Sequence, residues 1–513
     1  MSYEINDKTL IDEMRKNVRE YVQNEYKKLE TNLSNEISSE FQYPLDDEII
    51  GENGLLSNLL SEGETIVSYS KVKELDSLWL KLLNKSIICL RYFDTREPFL
   101  KNPTKPIVAY GIDKLNEYHK SYTEFESLMY GASAYYRDHI FHVIRVWLLG
   151  IFCLIEKIDS EESFIAHLGL DGGAPTPKEI GFFEYISMWT IAALCHDLGY
   201  PLEKSEQILD KTRKMMKEFV PSPNIWNNFS YSGTQDSINE YILKFISTKM
   251  KPSSLDEDSR ESKKSDGESK EKIYLGRVQP KYYLKYAKSL ENFQHGIISA
   301  IIVYKMLLYF LESDFNLNDD YVYKTEDARQ FYIRREILRS MAAHTCPDAY
   351  NIHITTFSSL LFLCDEFQEW GRKTWNELYT GLKENSIALK IEKFSYDEVN
   401  VCEIIDFQAI GNEDIITQNI IRVFERQYSL YKTTFRDGQD TAKRDFTLKK
   451  TMVFNLPNEG ARTRQITVTY CLPKSQASYF KVILPKELKN KYKDSIQKAI
   501  SDKLYGRDLQ FEN

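Results

Sequence analysis

The chain has 513 residues, too many for one compact core, so two or three domains are expected. Hydrophobic residues make up 42% and charged residues 28%, the composition of a folded globular protein, which excludes disorder over most of the length. A formal net charge of −9 excludes a general electrostatic pull toward nucleic acid or anionic membrane, although a local basic groove is compatible with it.

The sequence opens Met1, Ser2, Tyr3, Glu4, without the apolar core of a signal peptide. No stretch reaches the ~18 uninterrupted apolar residues that a membrane span needs. The richest, residues 299–311, is short and carries Lys305 in its middle. The cysteines, at 89, 153, 195, 346, 364, 402 and 471, form no CxxC pair. Several lie in apolar helical patterns, where a free thiol packs as a small hydrophobe. These features predict a cytoplasmic protein with no membrane partner.

Residues from about 8 to 37 read as an amphipathic helix, with Leu10, Met14, Val18 and Val22 at i+4 spacing. Residues 46–54 are turn-rich, further helical patterns follow to about Leu90, and residues 104–111 are read as including a short strand. From Tyr135 to Asp365 long helices alternate with polar loops. Residues 251–272 (KPSSLDEDSRESKKSDGESKEK) break that pattern: they are rich in Ser and in charges of both signs and have no aromatics. Such a segment cannot bury enough surface to offset its ordering entropy and is predicted to be a disordered surface insertion. After about Lys383 the period changes. Ile466, Val468, Tyr470 and Leu472 alternate with Gln465, Thr467, Thr469 and Cys471, as in a strand with one buried face. Residues 452–456 form a preceding strand that ends at the turn Pro457-Asn458-Glu459-Gly460. Residues 479–484 form another strand, and Leu488, Tyr492, Ile496 and Ile500 mark a closing helix.

The chemistry is carried by histidines and carboxylates. Of the eight histidines, at 119, 139, 142, 167, 196, 295, 344 and 353, four stand in suggestive contexts. His142 lies in YYRDHIFHVIRVWLLG, His196 in TIAALCHDLGYPLEK, His295 in ENFQHGIISA and His344 in ILRSMAAHTCPD. Asp197 follows His196 directly, and Asp365 lies in LLFLCDEFQEWGR. His142 shares a stripe with Val146, Leu149 and Cys153, which turns its imidazole toward the core. His196 follows Ile186, Trp189 and Ala193 down one face, and Gly199 and Pro201 end that helix. Asp365 lies in line with Leu361, where an unpaired charge would be costly and a metal ion would supply the partner.

In this order, H…HD…H…H…D, the residues resemble the HD superfamily of metal-dependent phosphohydrolases, over roughly residues 130 to 380. The resemblance implies an HD-type helical bundle, and the change of period after Lys383 appends a smaller C-terminal α+β domain, so a mainly α fold is expected. The corresponding division is residues 1–125 as an N-terminal helical region, 126–382 as the HD domain and 383–513 as the C-terminal α+β domain. It also implies one or two divalent transition metal ions. His142, His196, Asp197 and Asp365 would hold the first, and His295 and His344, with Asp197, the second. Imidazole and carboxylate ligands suit Mn, Fe, Ni, Co or Zn, with Mg also compatible, and do not choose among them. Such ions polarise a phosphoryl oxygen and activate water for in-line attack on a phosphate ester or anhydride.

Protein groups would then orient the substrate and move protons, with Asp197 in both metal and catalytic roles. Candidates are His139, Glu203, Lys204 and Arg372, together with Arg137, Asp138 and, more weakly, Arg145. His139 precedes His142 by three residues, so both can face one side of the helix. His119, His167 and His353 read as surface or loop residues. The turn HDLGYP differs from the HD-GYP signature of cyclic-di-GMP phosphodiesterases and from the HDxxED of guanosine-tetraphosphate hydrolases. It is nearer the HDLGHPP turn of deoxynucleotide triphosphohydrolases but lacks the rest of that signature. The expected partner is therefore a small phosphorylated molecule, with nucleotides foremost. A di-iron oxygenase using nearly the same ligands and a non-catalytic nucleotide- or nucleic-acid-sensing module are the alternatives. Lys486, Lys489, Lys491, Lys493 and Lys498 would make the closing helix basic enough to suit nucleic acid, although a solvated polar face is the simpler reading. An oligomer is compatible with the sequence.

Overall fold

The computed structural model describes residues 3–32, 41–59, 72–94, 107–132, 138–169, 180–217, 234–252, 273–313, 315–316, 318, 321–346, 352–372, 385–407, 435, 446–456, 464–476, 479–483, 494 and 509–512. Strand β1 (Tyr3–Ile5) leads into helix α1 (Asp7–Glu13), a π-helical turn (Met14–Val18) and helix α2 (Arg19–Asn32). The Asn6 side chain starts this run by accepting the Thr9 N–H at 2.8 Å. Leu10, Met14, Val18 and Val22 are all buried. On an α-helix of about 3.6 residues per turn an i+4 stripe drifts round the axis; the wider π turn unwinds that drift and keeps the four in line.

Helices α3 (Asp47–Ile50), α4 (Leu55–Leu59), α5 (Val72–Tyr92) and α6 (Ile112–Ala132) follow. In the described part of the expected strand at 104–111 there is none. Residues 107–111 run as coil and turn, and the Tyr110 carbonyl accepts a single N–H, from Leu308 at 3.2 Å, in place of a ladder.

The centre of the molecule is built from α7 (Ile140–Ile155), α8 (Phe182–Cys195), α9 (Tyr200–Met216), α10 (Thr234–Ser247), α11 (Pro280–Glu291), α12 (His295–Met306), α13 (Leu308–Leu311), α14 (Thr325–Ala343) and α15 (Phe357–Phe367). Apart from the half-buried Phe141, every residue of α7 is buried, so this helix has no solvent face. Helix α14 is buried from Ala328 to Ala343 despite its arginines. Three of its four arginines have a named acceptor: Arg329 pairs with Glu184, Arg334 reaches Asp94 at 3.3 Å and the Tyr309 carbonyl at 2.6 Å, and Arg335 reaches the Thr248 carbonyl at 2.8 Å, while the Arg339 guanidinium lies 4.5 Å from the Tyr282 ring centre.

A three-stranded antiparallel sheet, β2 (Thr248–Pro252), β3 (Ile273–Val278) and β4 (Val322–Lys324), is absent from the sequence expectations. Lys251 and Pro252, expected to begin the insertion, instead end β2, paired with Leu275 and Tyr274. The rest of that segment, residues 253–272, lies outside the described residues.

The C-terminal part supplies β5 (Asn385–Phe394), β6 (Glu398–Phe407), β7 (Thr447–Leu456), β8 (Arg464–Leu472), β9 (Tyr479–Ile483) and β10 (Leu509–Glu512). With β1 they form a seven-stranded sheet in the order β1-β5-β6-β7-β8-β9-β10, parallel between β6 and β7 and between β9 and β10. The alternating residues Ile466, Val468, Tyr470 and Leu472 are buried. Lys450 occupies an inward position on β7, where Glu403 pairs with it at 2.8 Å and its ammonium lies 5.6 Å from the Phe367 ring centre of α15. The sheet thus abuts the central helices. The expected turn at 457–460 and the basic closing helix lie outside the described residues, except for a helical Asp494.

The described residues are mainly α-helical. The N-terminal region is more than helical, because β1 pairs antiparallel with β5. Buried apolar residues from Ile5 through the central helices to Val482 form one contiguous core.

Candidate metal centre

Three helix ends meet at one point. Helix α8 ends on His196, α12 begins at His295, and α14 ends on His344. Two glycines permit the approach. A Cβ on Gly199 would stand 2.4 Å from the His295 carbonyl oxygen, and one on Gly296 would stand 2.4 Å from that of Met341. The Gly199 N–H donates to Ser299 Oγ at 2.7 Å, fixing the turn after Asp197 against α12. His142, in the first turn of α7, and Asp365, near the end of α15, complete the group. All six predicted ligands therefore converge.

The hydrogen bonds define the tautomer of each imidazole. His142 Nδ1 lies 2.5 Å from Gln368 Oε1, and Gln368 Nε2 donates to the Trp370 carbonyl at 2.7 Å, which fixes the amide with its oxygen toward the ring. His196 Nδ1 faces the Ala193 carbonyl at 2.8 Å and His344 Nδ1 the Met341 carbonyl at 2.6 Å. His295 Nδ1 faces Glu203 Oε2 at 2.6 Å. Every one of these partners is an acceptor, so each Nδ1 carries a proton and each Nε2 is left as the atom that would face a metal at the centre.

The centre is therefore rich in acceptors. His142 Nε2 lies 2.8 Å from Asp365 Oδ1, and His295 Nε2 and His344 Nε2 lie 3.2 Å from each other. His196 Nε2 is buried and makes no hydrogen bond. Asp197 divides its oxygens: Oδ2 lies 3.4 Å from His196 Nε2 and 3.8 Å from His142 Nε2, while Oδ1 lies 3.2 Å from His295 Nε2 and 3.6 Å from His344 Nε2. Lone pairs and two carboxylates facing one another in a buried space require positive charge between them.

In the absence of a metal, protons would supply it. Burial alone would lower the pKa of His295, but Asp197 and Glu203 outweigh it and raise the value to about 9. Burial likewise opposes the charge on His196, and Asp197 and Asp365 reverse this and raise its pKa. Burial and the nearby Arg372 lower that of His142, and burial lowers that of His344. Burial would raise the pKa of Asp197; His196, His295 and His344 hold it well below the ordinary carboxylate value.

The donor set fits a cation. Among the described residues, two overlapping sets have ligand atoms within 4.8 Å of one another: His142, His196 and Asp365, and His196, Asp197 and His344. The first matches the predicted first site without Asp197. The second draws in His196, where His295 was expected, and His295 approaches Asp197 Oδ1 from beside it.

Around these six, the other predicted residues separate. His139 is buried, its backbone N–H donates to Glu126 Oε1 at 2.5 Å, and its ring lies 3.9 Å from that of Tyr200. Burial holds its pKa well below the usual histidine value. Arg372 donates through Nη2 to the Asp138 carbonyl at 3.2 Å, and its buried Nε has no partner. Glu203, expected among the groups that orient substrate or move a proton, is occupied instead: Oε2 accepts both the Nδ1–H and the backbone N–H of His295, and Oε1 pairs with Lys204. Burial would raise its pKa, but His295 and Lys204 hold it at about 2. The Lys204 ammonium also stands 4.9 Å from the Tyr200 ring centre.

Arg145 cannot reach a phosphate. It is fully buried and grips Asp7, with Nε to Oδ1 at 2.9 Å and Nη2 to Oδ2 at 3.0 Å. His119 is not at the surface; it is buried and stacks on Trp79 at 4.0 Å. His167 pairs with Glu162 at 2.9 Å, and His353 is a loop residue bonded to Thr355 at 2.8 Å. Arg137 lies outside the described residues. Gln368, Glu126 and Tyr122 are neighbours of the centre that the sequence reading missed. Only Gln368, one turn past Asp365, carried a local signal.

No family model matches the chain, and no curated protein or solved structure matches it either. No helix among the described residues is long and apolar enough to cross a membrane.

Proposed function

We propose that the protein is an HD-type metal-dependent phosphohydrolase, cleaving a phosphate ester or anhydride of a small molecule, with nucleotides the foremost class. The observation that carries this reading is the set of four imidazoles, each with its Nδ1 proton tied to an oxygen and its Nε2 turned toward the Asp197 and Asp365 carboxylates. Support also comes from the H…HD…H…H…D order and from the five helices that bring those residues together.

His142, His196 and Asp365 would hold one divalent ion, and Asp197, His344 and His295 a second, with Asp197 offering one oxygen to each side. Ions bound there supply Lewis acidity, which eases ionisation of water and neutralises charge on the phosphoryl oxygens. The chain's own groups do the rest. Gln368 and Glu203 fix the ring orientations of His142 and His295. Arg372, with its unpartnered Nε–H, orients a phosphoryl oxygen. His139, held neutral by burial and with its ring beside those of Tyr200 and His142, is suited to hydrogen-bond the attacking water and orient it.

The test is a panel of nucleotides and artificial phosphodiesters with Mn, Co, Ni and Mg, run on wild type and on Asp197→Ala. Release of phosphate, triphosphate or nucleoside monophosphate that needs metal and disappears in the variant is the expected result. Metal-loaded protein with no turnover across the panel contradicts hydrolysis, and iron-dependent consumption of dioxygen would replace it by oxygenation.

A further inference from the structure

Helix α6 lays one stripe across the centre. Tyr118, Tyr122 and Glu126 are spaced four apart and so share a face. The two outer members hold opposite sides of the site. The Tyr118 hydroxyl donates to the Leu198 carbonyl, directly after Asp197, at 2.7 Å, and Glu126 accepts the backbone N–H of His139, three residues before His142. Tyr122 lies between them. Its side chain is 5% exposed, its hydroxyl is buried without a hydrogen-bond partner, and Asp197, Glu126 and Tyr200 are its polar neighbours.

A buried hydroxyl that makes no hydrogen bond costs stability, and removing it should cost none. Arg372 Nε stands in the same condition beside His139. Both unpartnered donors have the Asp197 carboxylate, in the middle of the centre, among their charged neighbours. A ligand with several oxygens can accept from both, and the Arg372 charge beside bound cations favours an anion over a neutral one.

We propose that Tyr122 is a substrate-binding residue whose hydroxyl donates to a phosphoryl oxygen, on the same group that Arg372 contacts. The assignment rests on the phosphohydrolase reading and adds a specific donor to it. Burial, with Asp197 and Glu126 adding to it, pushes the phenol pKa far above its ordinary value, so the group remains a donor throughout the working pH range.

The experiment uses the full chain loaded with manganese and inorganic phosphate as the probe. Phosphate affinity, metal content, kcat and thermal midpoint are compared in wild type, Tyr122→Phe and Tyr118→Phe. Tyr122→Phe should bind phosphate at least tenfold more weakly and lose about 10²-fold in kcat. Its metal content should be unchanged and its midpoint equal to or above that of wild type. Tyr118→Phe, which removes a hydroxyl that does have a partner, should lower the midpoint. Wild-type phosphate affinity in Tyr122→Phe overturns the assignment, and so does a drop in its midpoint or metal content, because the hydroxyl would then be structural. A wild type that binds no manganese removes the underlying metal reading instead, and that outcome is visible before any variant is made.

Discussion

His295 and His344 are oriented by groups close at hand: Glu203 in the first turn of α9 and the Met341 carbonyl one turn back on α14. His142 is oriented over a much longer path. Gln368 holds its ring, the Trp370 carbonyl holds Gln368, the Trp370 indole donates to Asp7 at 2.9 Å, and Asp7 is gripped by Arg145, which also donates to the Gly371 carbonyl. One side of the centre depends on local helix ends. The other depends on the N-terminal helix, whose preceding strand is an edge of the C-terminal sheet. Damage far away in sequence should therefore reach His142 and spare His295.

Several substitutions would break or sharpen that contrast. The largest effect should come from Asp197→Asn, which touches both sides. Metal affinity should fall by more than the ~10–100-fold typical of groups that only orient a ligand, and turnover should vanish. Metal titration and the nucleotide panel check this. Asp7→Ala leaves the Arg145 guanidinium buried without its carboxylate and should cost about 3–5 kcal/mol, read by urea unfolding. In protein that remains folded, the His142 side should lose metal first. Glu203→Ala should do the reverse, weakening metal binding on the His295 side by ~10–100-fold with little effect on the His142 side.

A pH titration gives a smaller, graded effect. The metal-free protein carries a proton on His295 up to about pH 9, and metal binding must displace it. Affinity should therefore strengthen by up to about tenfold per pH unit toward pH 9 and flatten above it. Because the folded value lies above the unfolded one of about 6.5, His295 stabilises the metal-free fold fully below that pH, and this contribution fades as pH rises through about 9. The smallest effect belongs to Lys204→Ala, which removes a partly exposed ion pair worth about 0–1 kcal/mol and should leave both metal positions occupied.

The same contrast explains what the sequence made legible. His196, Asp197, Gly199 and Pro201 form one compact signal, because a helix end, a tight turn and a new helix start are local events. The stripes drawn through His142 and His196 led to residues that converge, but α7 is buried almost all round, so the informative feature was a histidine on an otherwise apolar helix rather than its angle. The roles of Arg145 and Glu203 were obscured for one reason: each is occupied by a partner far away in sequence, Asp7 and His295 respectively. Tyr122 and Glu126 escaped notice because α6 reaches the centre only through tertiary packing. The C-terminal strands were readable from their alternation. Their union with β1 was not, since a three-residue edge strand has too little length to show a period.

The most direct test is a crystal of the full chain grown with manganese and measured at a wavelength where the ion scatters anomalously. The account predicts peaks within bonding distance of His142, His196 and Asp365 on one side of Asp197, and of His295 and His344 on the other. A well-ordered centre with no anomalous peak between those side chains, at manganese concentrations far above those of the protein, would contradict it.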